Sequence, residues 1–264
     1  MRMVKLNVDD EKVKIAIISD VHAGHINHDK KCFKNVLRKV QRLNCLWIGG
    51  GDYGDAIIPN DPRFDYNSLD PEMPTPQHQY DYIYNCFEPI KSRCIGLLDG
   101  NHDITHWKKH MHNYVLDLSR QLGVEYLTID AYIRLHFTRY NANFDIYIHH
   151  GWTSARTKGV RINRIYDLAD VFPWADAYVM GHVHDIGPAD EYASLYVDEN
   201  MEIRDKLQHF IFAGSFLRGY VKDTVSYVEE KTFKPSLLGS PLIIITPKKG
   251  KATVWFNVEC KKLR

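Results

Sequence analysis

The sequence has few of the features that mark an oxidised, membrane-bound or polyanion-binding protein. Its five cysteines are odd in number and form no Cys-x-x-Cys pair, which predicts a reduced protein in the cytoplasm. No apolar run approaches the roughly 18 residues of a membrane helix, so we expect no membrane association. The formal net charge is only +1, so any surface that attracts nucleic acid must be local.

The chain also lacks internal repeats, low-complexity tracts and a convincing linker. Its 264 residues, 44% hydrophobic and 25% charged, are enough to bury a substantial core. We therefore expect one domain over residues 1–264. Residues 56–76 contain five prolines, which predicts a loop or cap inserted in that domain.

The hydrophobic pattern alternates between strands and helices early in the chain and becomes strand-rich later. Helical spacing of apolar residues predicts helices at 31–43, 77–90, 107–123 and 159–172. Short apolar runs predict strands that include 13–20, 45–50, 93–100, 144–151 and 177–185. This pattern predicts the α/β class, as a four-layer α/β/β/α sandwich of two mixed sheets with helices outside.

Histidine is abundant, and many of the fourteen histidines lie where a predicted strand ends. The polar clusters at such ends are Asp20-Val-His22, Asp52, Asn101-His102-Asp103, His149-His150 and His182-Val-His184. Loops at the carboxyl ends of strands converge in α/β folds, so these clusters are expected to meet there. Residues i and i+2 of an extended segment share a side, which would direct both members of Asp20/His22 and of His182/His184 to one site.

The chemistry of these side chains favours divalent metal ions. Carboxylates, imidazoles and an amide oxygen suit Mn, Fe, Zn or Mg, and the clusters lack the thiolates of a structural zinc site. Taken alone, each cluster has a simpler interpretation. An Asp-x-His or His-x-His match is common by chance, and Gly-Asn-His-Asp is most simply a turn. It is the occurrence of all five at strand ends that favours a shared site.

The stretch IGGGDYGD, residues 48–55, also matches the dinucleotide-binding pattern G-x-G-x-x-G through Gly49, Gly51 and Gly54. That pattern needs a helix after the glycines, because the helix N-terminus holds the pyrophosphate. Here Pro59 and Pro62 follow, with no helical spacing. We therefore interpret the glycines as a sharp turn that leaves room for metal ions around Asp52.

The series SDVH, GGDYGD, GNHD, IHHG and GHVH, between residues 19 and 184, resembles the five sequence blocks of the calcineurin-like metallophosphoesterases. The resemblance implies two divalent ions, with Mn favoured and Fe, Zn, Mg, Ni or Co as alternatives. It implies one ion held by Asp20, His22, Asp52 and His184, and a second held by Asp52, Asn101, His150 and His182. It also implies that His102 approaches the leaving group of the substrate, with Asp103 orienting it and Asp55 supporting the ligands.

Two departures from the family pattern stand out. The doublet His149-His150 offers two candidates for one ligand, and His150 is preferred because the family often has this histidine directly before glycine. In the second block Asp55 is followed by Ala56, where the protein serine/threonine phosphatases have arginine. This difference argues against that branch of the family.

The resemblance and the donor chemistry together predict a phosphoesterase in which two metal ions activate a hydroxide. The expected substrate is a small phosphodiester, phosphomonoester or nucleotide. One alternative is a nuclease that follows a nucleic-acid backbone with a basic stretch of the chain. The cations of that stretch are Arg156, Lys158, Arg161 and Arg164. Another alternative is a non-catalytic metal-binding interaction module of the same fold.

Overall fold

Apolar strands and amphipathic helices alternate through the first half of the chain, as the hydrophobic pattern predicts. The computed structural model describes residues 1–264 except for 154, 156, 223–226, 231, 233 and 251–253. The first elements are β1 (Arg2–Val8), β2 (Val13–Ile18), α1 (Lys30–Leu43), β3 (Leu46–Gly49), α2 (Pro76–Phe87), β4 (Cys94–Leu98), α3 (Asn101–His110) and α4 (Tyr114–Leu122).

The second half is richer in strands. Its elements are β5 (Tyr126–Thr128), β6 (Asp130–Phe137), β7 (Ala142–His149), α5 (Lys158–Val171), β8 (Ala177–Met180), β9 (Ile186–Val197), β10 (Ile203–Ala213), α6 (Tyr227–Glu230), β11 (Ser240–Lys249) and β12 (Val254–Leu263). Short 3₁₀ helices lie at Tyr66–Ser68, Glu88–Arg93 and Thr138–Tyr140.

The described strands form two six-stranded sheets, both of them mixed. Sheet 1 has the order β1-β6-β7-β8-β10-β9, and sheet 2 has the order β12-β11-β2-β3-β4-β5. In sheet 2, β2 through β5 run parallel and β11 and β12 add two antiparallel pairings. In sheet 1, β7, β8 and β10 run parallel, while β6 and β9 pair antiparallel to their neighbours β7 and β10.

Three apolar layers hold these sheets and helices together. Ile15 and Ile17 of β2 point into the layer between the two sheets. Ala16 and Ile18 point to the other face, where α1, α2 and α4 cover sheet 2. On the outer face of sheet 1, α5 packs through Ile165 onto Phe210 and its neighbours. Because both faces of β2 are buried, its sequence is a continuous apolar run, and the predicted four-layer α/β/β/α sandwich is confirmed.

The helix predicted at 107–123 is instead two helices, and the first begins earlier, at Asn101. Met111 has a left-handed backbone, with φ 54°, and ends α3. The Asn113 side chain then accepts a hydrogen bond from the Leu116 N–H at 2.8 Å, which caps a new helix. Gly123 ends α4 in the left-handed conformation.

Two strands also differ from the sequence-based expectation. The strands β5 and β9 were not predicted, since β5 has three residues and much of β9 is exposed. Residues 56–75 contain a single 3₁₀ turn and no other helix or strand in the structure. Over the described residues, no helix has the length and apolar character needed to cross a bilayer.

Candidate metal centre

The predicted metal ligands all follow strands of the two sheets, at the carboxyl ends of those strands. Asp20, Asp52 and Asn101 follow β2, β3 and β4 of sheet 2, within three residues of each strand end. His150 and His182 follow β7 and β8 of sheet 1 in the same way. Both sheets therefore contribute side chains to one place, which neither sheet could form alone.

The sequence reasoning assumed that these side chains follow one another on an extended backbone, but the backbone at several of them is left-handed. The residues with left-handed backbones at the centre are Asp20 (φ 53°), His22 (φ 50°), Asp52 (φ 53°), His182 (φ 64°) and His184 (φ 57°). Asp and His enter this region more readily than most residues, at a cost of about 1–2 kcal/mol each. The two pairs still converge, but through tight left-handed turns, and such local strain is typical of functional sites.

Two glycines leave the room that Asp52 needs. A Cβ on Gly100 would lie 2.0 Å from Asp52 Oδ1, which no real structure allows. Gly51, with φ 93°, would place a Cβ 2.5 Å from the Gly100 nitrogen. The next α-helix after Gly54 begins only at Pro76, so the structure offers no helix to complete a dinucleotide-binding turn. Within IGGGDYGD, it is Gly51 that allows the turn before Asp52 to approach Gly100 closely.

We call Asp20, His22 and His184 the first donor group; one potential ligand atom from each lies within 4.8 Å of the others. His184 Nε2 is 3.3 Å from Asp20 Oδ1, and His22 Nε2 is 4.0 Å from Asp52 Oδ2. The other nitrogen of His22, Nδ1, lies 3.2 Å from Asp55 Oδ1. With Nδ1 donating there, the buried Nε2 has a lone pair and no hydrogen-bond partner among the described residues. An imidazole held in this way is typical of a metal ligand.

We call Asp52, Asn101, His150 and His182 the second donor group. His150 Nε2 lies 3.3 Å from Asp52 Oδ2, and His150 Nδ1 donates to the Gly50 carbonyl oxygen at 2.7 Å. One terminal atom of the Asn101 amide lies 2.7 Å from His182 Nδ1 and 3.1 Å from both His150 Nε2 and Asp52 Oδ2. An amide oxygen at that position can accept a hydrogen bond from His150 Nε2 at 3.1 Å, whereas an amide nitrogen can donate to His182 Nδ1 and Asp52 Oδ2. Nitrogen and oxygen atoms of four side chains converge there, and this donor chemistry fits a divalent ion.

The structure distinguishes the two histidines of the doublet. His150 is fully buried and its ring faces Asp52. His149 Nδ1 accepts a hydrogen bond from the Gly151 N–H at 2.8 Å, and its ring lies 5.0 Å from that of Trp152. The structure therefore brings His150, and not His149, into the second donor group.

His102 also lies at the centre, but Asp103 does not orient its ring. The backbone N–H of His102 donates to Asp52 Oδ1 at 2.9 Å. Its ring nitrogen Nδ1 lies 2.6 Å from the carbonyl oxygen of Asp55 and 3.6 Å from Asp55 Oδ1. The orienting contact expected from Asp103 is thus made by Asp55. Consecutive residues of a helix point about 100° apart, so the ring of His102 and the carboxylate of Asp103 diverge.

Asp103 stabilises the turn that carries Asp52. Its Oδ2 accepts hydrogen bonds from the backbone N–H groups of Asp52, at 2.9 Å, and Gly100, at 2.7 Å. Its Oδ1 accepts a hydrogen bond from the hydroxyl of Tyr80 on α2. Asp103 therefore stabilises the backbone turn that positions Asp52 at the candidate centre.

A proton on His150 offsets part of the carboxylate charge at the centre. Burial opposes ionisation of Asp52, but the nearby His150 holds the pKa of Asp52 well below its usual range. Burial alone would lower the pKa of His150, whereas the charge of Asp52 raises it to about 10. Burial lowers the pKa of His22, and it lowers that of His182 to about 4. The centre thus combines ionised carboxylate, a protonated His150 and neutral imidazoles with lone pairs.

Two of the three described cations in the basic stretch that motivated the nuclease alternative, Arg161 and Arg164, form local ion pairs. Arg161 Nη1 lies 2.8 Å from Asp185 Oδ2, and its Nε donates to the Ala155 carbonyl oxygen at 2.9 Å. Arg164 pairs with Asp167 at 3.1 Å, one turn along α5. Arg156 lies outside the described residues. A continuous cationic strip is therefore not supported by the described part of this segment.

Sequence reasoning missed several contacts at the centre. It assigned Asp55 a supporting role but gave no sign that its backbone carbonyl contacts His102. It also missed the hydrogen bond from Tyr80 to Asp103, because α2 and α3 are distant in sequence and no local motif links them. Only the packing of these helices reveals such contacts.

Comparisons with known proteins add little to this geometry. No known protein family and no curated protein matches the sequence. Among solved structures, the chain is similar to Vacuolar Protein Sorting 29 from Cryptosporidium parvum, with 11% identity, a TM-score of 0.42, and coverage of 96% of this chain and 100% of that one. It is also similar to GAP50, the anchor in the inner membrane complex of Plasmodium, with 11% identity, a TM-score of 0.40, and coverage of 96% and 89%. Both TM-scores are below 0.5, so neither likeness bears on what this chain binds or does.

Proposed function

We propose that this chain is a dinuclear metal-dependent phosphoesterase of the calcineurin-like type. The observation that supports this most strongly is that two donor groups meet in one largely buried place, with Asp52 able to serve both. In this proposal one ion is held by Asp20, His22, Asp52 and His184. The other is held by Asp52, Asn101, His150 and His182.

The donor set suits an anionic substrate. Two divalent ions, when bound, would activate a water molecule and neutralise charge on a phosphoryl group. Among the proposed ligands only Asp20 and Asp52 are carboxylates, so the protein supplies about two negative charges against four positive ones. The remaining positive charge favours binding of a phosphoester, with Mn as the first ion to test.

His102 is the residue proposed to assist departure of the leaving group. Its Nδ1 faces the Asp55 carbonyl oxygen, which fixes Nδ1 as a donor and leaves Nε2 to hold or release a proton. Burial opposes its protonation, but the carboxylates of Asp52 and Asp55 raise the pKa of His102. Its side chain is 14% exposed, whereas those of Asp52 and His150 are at most 1% exposed. A protonated Nε2 at the edge of the centre can donate to a leaving oxygen.

The proposed substrate is a small phosphodiester, phosphomonoester or nucleotide. Long nucleic acid is disfavoured because Arg161 and Arg164 already pair with Asp185 and Asp167. A non-catalytic module with the same fold would bind metal without turnover. The presence of His102 beside the donor groups favours catalysis over that alternative.

The test combines metal analysis with a substrate panel. Metal-free protein is loaded with Mn, Mg or Zn, and bound metal is counted by mass spectrometry. The panel contains p-nitrophenyl phosphate, bis-p-nitrophenyl phosphate, cyclic nucleotides and single-stranded DNA. We expect two ions per chain and turnover of at least one small ester. Absence of bound metal would contradict the assignment, and two ions without any turnover would establish the non-catalytic module.

A further inference from the structure

The proline-rich segment after Asp55 carries an arginine that is held rigidly by a buried carboxylate. Asp61 Oδ1 accepts hydrogen bonds from Arg63 Nε and from its backbone N–H, each at 3.0 Å. Asp61 Oδ2 accepts from Arg63 Nη2, also at 3.0 Å. This two-point contact uses one edge of the guanidinium. The opposite edge, formed by Nη1 and the second Nη2 proton, contacts no described acceptor and can bind another anion in the same two-point manner.

The same carboxylate holds a second cation, from the helix that carries His102. Lys109 Nζ lies 3.0 Å from Asp61 Oδ2. Lys109 follows His102 by seven residues on α3, which is about two turns or about 10 Å along the axis and returns to the same face. Asp61 therefore fastens the segment after Asp55 over the face of α3 on which His102 lies.

The exposure of these three side chains fits a binding role for the cations. The Asp61 side chain is 6% exposed, whereas those of Arg63 and Lys109 are 40% and 39% exposed. One carboxylate between two cations leaves a net charge of about +1. The carboxylate of Asp61 thus lies buried beneath the cluster, and the two cations face solvent.

The cluster is linked to the candidate centre through Asp55. Asp61 follows Asp55 by six residues, and Asp55 Oδ1 lies 3.6 Å from His102 Nδ1. The hydrogen bonds to Asp61 raise the pKa of Arg63, and the carboxylates of Asp52 and Asp55 raise it further, which agrees with this placement.

We propose that Arg63 and Lys109 form a subsite for a second phosphate on the leaving part of the substrate. This inference rests on the proposed function, in which His102 faces the leaving oxygen. The two cations lie over the His102 face of α3, and this helix leads away from the donor groups toward Lys109. A phosphate bound there belongs to the leaving group and not to the reacting phosphoryl group. The substrate class is thus a phosphoester whose leaving group carries another phosphate, such as a nucleoside bisphosphate.

The test compares two substrates with the Mn-loaded protein. Adenosine 3′,5′-bisphosphate carries the second phosphate, and p-nitrophenyl phosphate does not. In R63A we expect kcat/KM to fall by about 10- to 100-fold for the bisphosphate, the range for lost hydrogen bonds between charged groups, with little change for p-nitrophenyl phosphate. R63K, which keeps the charge but loses the planar fork, should show a smaller loss, and so should K109A.

Arg204 offers a matched control, because it lies at the amino end of β10, whereas the donor groups lie at the carboxyl ends of strands. It is also ion-paired, to Asp198 and Glu202, and its side chain is 49% exposed. R204A should leave the ratio of the two kcat/KM values unchanged. Equal losses on both substrates in R63A and R63K would overturn the subsite, and so would the absence of any loss in either variant. The subsite would also be overturned if the wild-type protein hydrolysed p-nitrophenyl phosphate but not the bisphosphate.

Metal content and p-nitrophenyl phosphate turnover, measured on the same preparations, separate the two levels of inference. If the wild-type protein binds metal and turns over this ester, but the ratio of the two kcat/KM values is the same in R63A as in the wild type, only the subsite proposal is contradicted. If metal or all turnover is absent, the proposed function itself fails.

Discussion

The two donor groups of the centre are built from similar side chains but are prepared for a metal in different ways. In the first group, His22 Nε2 is buried, has its lone pair and lacks a hydrogen-bond partner among the described residues. In the second group, His150 carries a proton that pairs with Asp52, because the pKa of His150 is raised to about 10. His22 would therefore offer a lone pair to a metal ion directly, whereas His150 would have to release its Nε2 proton before it could act as a ligand.

This difference shows how a dinuclear site can be folded before metal arrives. Ionised carboxylates without counter-charge would repel one another in a buried place. The proton on His150 Nε2 supplies the counter-charge for Asp52, while Nδ1–H of the same ring donates to the Gly50 carbonyl oxygen. We therefore expect the first group to fill at lower pH than the second.

The largest effect is expected from D52N, since Asp52 is proposed to serve both donor groups. Loss of this charge should weaken binding of both ions by more than about 100-fold, the upper range for changes at residues that only support metal ligands. Metal counting by mass spectrometry after desalting measures the loss. D167N, which alters an exposed carboxylate on α5, is the matched control and should retain both ions. Full metal content in D52N would contradict the bridging assignment.

H150A should separate the two groups. It removes a ligand of the second group only, so we expect one ion per chain instead of two, with turnover largely lost. H149A should keep both ions, because the His149 ring contacts Gly151 and Trp152. The same metal counts decide between them, and loss of an ion from H149A alone would reverse the assignment of the doublet.

D55N should act on the first group through His22. Removing the charged acceptor of His22 Nδ1 should weaken metal binding at the first group by about 10- to 100-fold, while the second group keeps its affinity. Titration with Mn, followed by the signal of the free ion, resolves the two affinities. Equal weakening at both groups would show that Asp55 supports the centre as a whole and does not act through His22.

The last effect concerns pH and the metal-free protein. The pKa of His150 is raised from 6.5 to about 10 on folding. The stability that this proton contributes is complete below about pH 6.5 and is lost as the pH rises through about 10. The free energy of unfolding of the wild-type protein, measured in chelator by urea denaturation, should therefore fall from pH 7 to pH 10 more than that of H150A. Parallel profiles would show that His150 and Asp52 are not coupled in this way.

Much of the fold and most of the candidate ligands could be predicted from local sequence. The apolar run at 13–18 predicts a buried strand because both its faces are covered, and Asp20 follows directly. The turn at Asp52 could be recognised from its glycines, whose positions leave no space for a side chain. The left-handed backbones at Asp20 and His22 could not, since a two-residue spacing is compatible with either geometry.

The sequence by itself determined the order of most strands and helices, the four-layer class and the donor types, because periodicity and residue chemistry are local properties. Only the tertiary structure decided that His150 and not His149 meets Asp52, and that Asp55 and not Asp103 orients His102. It alone joined Arg63 and Lys109 through Asp61, across 46 residues of chain. These contacts depend on which loops and helices pack together. That packing follows from the burial of both sheets and cannot be predicted from residues adjacent in sequence.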